Sequence, residues 1–170
     1  MRLILFLLTL LIATSCEERR YPVEEGFIQI WMYNKEATNL DHIYLKLTKI
    51  KSVYDTLTSI FNFEEPFIID LSSLSQSLSL ILSASIPFGK YVGVYFVVDS
   101  AYFSIDDSVY YLRLGINPET GEKGFSIDIE VPIFIDETTD LIIGWYPDSS
   151  VVESLGVYWF IPEVDVDVNW

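Results

Sequence analysis

Cysteine and histidine each occur once in this chain of 170 residues, and cations are scarce, with 10 Lys and Arg against 25 Asp and Glu. A single cysteine excludes an intramolecular disulfide. Gly-x-Ser-x-Gly elbows, His-Glu-x-x-His pairs and Gly-rich phosphate loops are also missing, so no local sequence supports a nucleophile, a zinc hydrolase or a nucleotide site. The shortage of cations excludes nucleic acid, because binding to it draws on Lys and Arg that displace counterions from phosphates. At a formal charge of −15 the chain repels such a backbone, and an anionic membrane surface is disfavoured for the same reason. Disorder is excluded by the other side of the composition, 51% hydrophobic and 15% aromatic residues, which supply a core. The expectation is a noncatalytic domain with no cofactor and no metal ligand set.

One long apolar run stands apart. Arg2 precedes Leu3 to Ala13, and the run ends in Thr14-Ser15-Cys16. It is too short for a spanning helix, which needs about 20 apolar residues. A basic start, a short apolar stretch and small residues before a cleavage point describe a signal peptide. The lone cysteine follows the small pair directly, an arrangement that resembles the lipobox of bacterial lipoproteins. There the thiol is diacylated and the cysteine becomes the new N-terminus. Residues 1–15 are therefore read as a lipoprotein signal peptide, 16–25 as an acidic tether and 26–170 as the folded domain. Acyl chains on Cys16, at ~0.8 kcal/mol per buried methylene, would hold the protein to a membrane. The implied location is extracytoplasmic, lipid-anchored in a bacterial cell envelope, either periplasmic or at the surface.

Period-2 alternation runs through the remainder and predicts half-buried strands. Ile28, Ile30 and Met32 form one inward set, and Ile43, Leu45 and Leu47 a second. A short strand covers 66–71, and Val92, Val94, Phe96 and Val98 point inward from the next. Residues 101–105 and 109–114 form a hairpin around Asp106-Asp107-Ser108. The clearest alternation is Phe125, Ile127, Ile129, Val131, Ile133 and Ile135, where Pro132 marks an edge or a bulge. Strands over 139–146, 157–161 and 164–168 complete eight to ten, and such a count favours an all-β fold, an immunoglobulin- or transthyretin-like antiparallel β-sandwich. Leu71, Leu74, Leu78 and Ile81 recur at helical spacing, which predicts a short helix or packed loop across one end. The Pro118–Gly124 stretch reads as a flexible hairpin loop.

Three segments in order carry a family resemblance. They are Gly26-Phe27-Ile28-Gln29-Ile30 with Leu40 to Ile50, then Ile86-Pro87-Phe88-Gly89-Lys90-Tyr91 leading into a strand, then Asp148 to Val152 with Tyr158 and Ile161-Pro162-Glu163-Val164. Over about 26–168 the chain resembles the bacterial lipoprotein domain-of-unknown-function family 4382. It departs from that pattern at Asn34-Lys35-Glu36-Ala37, where many members carry Asp-Ala-Pro. The resemblance implies a β-sandwich lipoprotein of bacterial envelopes and supplies no catalytic residues.

Aromatic residues give the sharpest hint of a partner. Opposite the first inward set lie Phe27, Trp31 and Tyr33, and opposite the fourth lie Tyr91, Tyr95 and Val97. A sandwich buries one face of each strand, so the second face needs a cover. The 71–82 segment is one such cover. Otherwise Trp31, Tyr33, Tyr91 and Tyr95 form a surface for a protein or glycan partner, since exposed aromatic area marks interaction sites. The alternative role is a structural subunit of an envelope or surface assembly, joined through edge strands and possessing calcium sites among Asp99, Asp106 and Asp107 or Glu163, Asp165 and Asp167. Alternation places the last three on one solvent face, the simpler reading. His42 is expected outward on its strand as a solvated side chain.

Overall fold

The computed structural model describes residues 23–53 and 57–170. Residues 1–15, read above as a signal peptide, Cys16 and most of the 16–25 segment read as a tether lie outside the described residues. The strands, in chain order, are β1 (Glu25–Asn34), β2 (His42–Val53), β3 (Leu57–Asp70), β4 (Ser79–Pro87), β5 (Gly89–Ile105), β6 (Ser108–Leu112), β7 (Gly115–Ile116), β8 (Lys123–Ile133), β9 (Thr138–Trp145), β10 (Val151–Ser154), β11 (Val157–Phe160) and β12 (Val164–Asn169). The fold is all-β and sandwich-like. One sheet runs β12-β9-β1-β4 and the other β3-β2-β5-β8-β7, with β6 beside the second half of β5. Among the described residues no helix is long and apolar enough to cross a membrane.

The core follows the alternation. Ile28, Ile30 and Met32 of β1, with Leu141, Ile143 and Trp145 of β9, face Ile43, Leu45, Leu47 and Ile50 of β2 and Val94, Phe96 and Val98 of β5. Full burial of such side chains is worth roughly 1.5–3 kcal/mol each, so the inward sets hold the two sheets face to face. Pairing is antiparallel except between β1 and β9, which run parallel from Phe27/Thr138 to Asn34/Trp145. At the closed end Asn34 Nδ2 donates to the Leu71 carbonyl at 2.8 Å, and Trp145 packs edge-on to Phe125.

Four expectations are corrected. The short helix or packed loop expected over 71–82 is a 3₁₀ turn at Leu71–Ser73, capped by Asp70, and a loop with Leu71 and Leu74 against the core, and it ends earlier than expected because residues 79–87 are β4, an edge strand on β1. The 71–82 segment therefore extends the sheet and does not roof its aromatic face. Val92 is exposed and Tyr91 takes its place inward, because the register shifts between the pairs Tyr91/Val131 and Gly93/Asp128 and reverses the phase of β5. Ile135 is exposed, since β8 ends at Ile133 and the chain turns through Asp136 at φ 58°. The third strand begins at 57, not 66. Pro132 sits on the unpaired edge of β8, beyond the two residues that β7 covers.

Candidate ligand-binding face and groove

The four aromatic residues singled out from the sequence do not form one patch. Trp31 and Tyr33 lie half-buried on the outer face of the four-stranded sheet, and Trp31 Nε1 donates to Asp140 Oδ1 at 3.1 Å. Tyr33 rests over Gly144, where an added Cβ would come within 2.9 Å of its ring carbon and hydroxyl, and Lys35 crosses above it to reach Asp165 at 2.8 Å. Tyr91 and Tyr95 belong to the other sheet and are 7% and 5% exposed. The Tyr91 hydroxyl donates to the Pro87 carbonyl at 2.7 Å. Neither ring forms an open surface patch with Trp31 and Tyr33, for two different reasons. Tyr91 turned inward at the register shift, whereas Tyr95 stayed outward and was covered.

The cover is the 117–122 loop between β7 and β8. Asn117 organises it, accepting on Oδ1 from the Glu119 and Thr120 amides and on its carbonyl from Gly121 N. The Glu122 carbonyl receives the Tyr95 hydroxyl at 3.0 Å. Its carboxylate receives both Lys49, at 3.4 Å, and Lys51 from the outer face of β2. Hydrogen bonding from Lys51 first, then the charges of both lysines, holds the Glu122 carboxyl below its ordinary range against a burial effect in the other direction. Gly124 permits the close fit, because a Cβ there would lie 2.0 Å from the Phe96 carbonyl oxygen.

Beyond this loop the outer face stays open and carries aromatics that single-strand alternation does not pick out. Tyr44 of β2, Tyr102 of β5 and Tyr111 of β6 are register neighbours. Their rings form a row with His42: centroids are 5.1 Å apart for His42–Tyr44, 4.8 Å for Tyr44–Tyr102 and 6.4 Å for Tyr102–Tyr111. Tyr111 is 79% exposed. Desolvation, followed by the charge of Asp70 and by Tyr102, pushes the Tyr44 phenol above its ordinary value. Part of the signal lay in the alternation, which set His42 and Tyr44 outward. Finding the row also required the pairing of β2 with β5 and of β5 with β6.

His42 Nδ1 lies 2.7 Å from Asp70 Oδ2. Ser104 stands opposite His42 in register, which assembles the residue types of a serine triad. No hydrogen bond joins Ser104 to the imidazole among the described residues, and Asp70 Oδ1 is engaged by the Ile43 and Ser72 amides. Asp70 thereby caps the turn after β3.

Next to Tyr111 the row runs into a groove of about 600 Å³, bounded by β5, the end of β6, β7 and Trp159. Arg113 is fixed there by its backbone: its amide donates to the Tyr158 carbonyl and its carbonyl accepts from Phe160 N, both at 2.9 Å. Its guanidinium lies over the Trp159 ring, 5.6 Å from the centroid. Lys123 and Asp99 also line the groove. Asp99 is held by Lys46 at 3.0 Å, and that hydrogen bond keeps its carboxyl below the usual range. On the far side of Ile116 and Trp159 a second groove, about 630 Å³, is lined by Glu119 and Asp128.

The acidic groups considered for calcium do not converge. Asp106 and Asp107 form the hairpin turn at φ 50° and 61°, and Asp165 is engaged by Lys35 and by the Tyr146 hydroxyl. Among the described residues no three acids, histidines or cysteines group as a metal site. No family model, curated protein or solved structure matches this chain.

Proposed function

We propose that this chain is a noncatalytic recognition domain of a bacterial cell envelope, held to a membrane by lipid on Cys16, that binds a glycan across the outer face of its larger sheet. The observation that carries the reading is the row His42–Tyr44–Tyr102–Tyr111, an aromatic strip on paired strands whose two ends, His42 and Tyr111, are exposed and whose middle rings are half-buried. The rings stand against one another, stacked between His42 and Tyr44, tilted between Tyr44 and Tyr102 and edge-on between Tyr102 and Tyr111, so the row offers sugars a ridge of ring edges that ends in the open ring of Tyr111. The row stands on rigid strands, so its geometry is set before a ligand arrives. The anchor is supported by the lipobox-like Thr14-Ser15-Cys16, and the family resemblance points to the same location.

The test has two arms. A Cys16→Ala variant expressed in a bacterial host should leave the detergent phase and fail to incorporate labelled palmitate; continued membrane attachment would remove the anchor. Tyr102→Ala and Tyr111→Ala should abolish retention on the glycans that the parent chain binds while melting within a few degrees of it. Retention unchanged in both variants would remove the row as the binding face.

A second reading rests on β3. This edge strand exposes Phe61, Phe67 and Ile68, at 38%, 39% and 55%. Such an edge offers unpaired backbone to a neighbouring strand, which suits a structural subunit of an envelope assembly. Sedimentation showing concentration-dependent association that Ile68→Lys abolishes would favour this role over glycan binding.

A further inference from the structure

Seven cations fall among the described residues, and five of them are held in ion pairs: Lys35 with Asp165, Lys46 with Asp99, Lys49 and Lys51 with Glu122, and Lys90 with Glu130. The two that make no ion pair among these residues are Arg113 and Lys123, the latter close enough to Asp99 to help hold its carboxyl low. Both line the same groove, at the end of the tyrosine row. In a chain carrying −15, two cations outside any ion pair, set against a single carboxylate that Lys46 already holds, are the opposite of what the composition favours.

We propose that the groove between β6, β7 and Trp159 binds an acidic sugar residue, its carboxylate received by Arg113 and Lys123 and the neighbouring sugar packed on the exposed ring of Tyr111. This rests on the glycan-binding reading and names its ligand class. With its guanidinium carbon over the Trp159 ring, 5.6 Å from the centroid, Arg113 is held in the groove by cation–π attraction while its N–H fork remains the donor type suited to a bidentate carboxylate contact. Its main chain is locked to β11 on both sides, so the fork is held ready. Asp99 is already neutralised by Lys46, which leaves the groove lining with an excess of positive charge sufficient for a single anion.

The same charge arithmetic limits the ligand. Beyond a Debye length of about 8 Å at physiological salt the groove's field is screened, and a closely charged polymer would meet the surrounding acids. A sugar bearing one carboxylate among neutral neighbours fits, whereas a dense polyanion does not. The adjoining groove, lined by Glu119 and Asp128, lacks this preference and marks where the acidic sugar should not sit.

The experiment is a panel of immobilised oligosaccharides in pairs that differ by one carboxylate, sialylated against asialo and glucuronate-terminated against glucose-terminated, with heparin as the dense polyanion. The full chain should bind acid-bearing members over their neutral partners by about tenfold, the worth of one charge-assisted contact, and should not retain heparin. Arg113→Gln and Lys123→Gln, checked for an unchanged melting temperature, should erase that difference and leave neutral binding as it was. Equal binding of both members of each pair, lost in Tyr111→Ala, would overturn the acidic ligand and keep the glycan reading. No retention of any member would overturn both, and preferential heparin binding would overturn the limit to a single charge.

Discussion

The Lys51 ammonium, on the outer face of β2, is buried beneath the loop whose Glu122 carboxylate it contacts, and that contact closes the loop over Tyr95. Because the folded Glu122 carboxyl titrates below its ordinary value of 4.5, its contribution is complete above that pH and is lost as pH falls through the lower folded value. Glu122→Gln should therefore cost about 1 kcal/mol near neutrality, a figure kept small because the carboxylate is still reached by water. Denaturant melts of parent and variant should converge as pH drops below the ordinary carboxylate range. A difference that persists or widens in acid would contradict the assignment.

Tyrosines on one sheet should separate into two classes. Tyr95→Ala removes a buried ring and a hydrogen bond and should cost about 3 kcal/mol or more. Tyr111→Ala, at 79% exposure, should change stability by less than about 0.5 kcal/mol. Equal losses in thermal melts of the two variants would mean that the row is core rather than surface.

Leu155 occupies the first position of the β10–β11 turn at φ 53°, is fully solvent-exposed and is followed by Gly156 at φ 73°. A branched side chain in the left-handed region costs roughly 1–2 kcal/mol, and asparagine tolerates that region far better. Leu155→Asn should raise stability by about 1 kcal/mol, since the exposed leucine gives up no packing when it is replaced. A lower melting temperature would show that the leucine is packed.

Gly124→Ala should be severe, because the new methyl would meet the Phe96 carbonyl oxygen, a backbone atom that cannot step aside. A loss of about 3 kcal/mol, or failure to fold, is expected. Hydrogen exchange should show the damage first in the amides of β7 and of β8 near Gly124. Uniform protection in a folded variant would contradict this placement.

The inward sets of β1 and β2 were legible because alternation is undisturbed over their first six or so residues. Legibility failed at irregularities. The register shift at Gly93 exchanged Tyr91 for Val92, and no composition rule marks a bulge in a run as apolar as Tyr91 to Val98. β4 was hidden because Leu71, Leu74, Leu78 and Ile81 satisfy helical spacing, whereas the buried residues of that strand are Leu82 and Ile86, separated by small side chains. For the candidate site, single-strand pattern identified outward residues but not their neighbours. Tyr44 is far from Tyr102 in sequence and meets it only through the β2–β5 pairing, whereas Tyr102 and Tyr111 face each other across the hairpin that the alternation already predicts; the Arg113–Lys123 groove depends on β11 returning to lie beside Arg113.

The parallel pairing of β1 with β9 sets an order on folding. β1 is hydrogen-bonded on one side to β4 and on the other to β9, whose last residue, Trp145, pairs with Asn34. The first strand to leave a ribosome or an export channel therefore cannot complete its sheet until more than a hundred further residues have followed. Closing so long a loop before its contacts form slows folding. Over that interval Ile28, Ile30 and Met32 remain incompletely covered, and a chaperone would find its most durable target in β1.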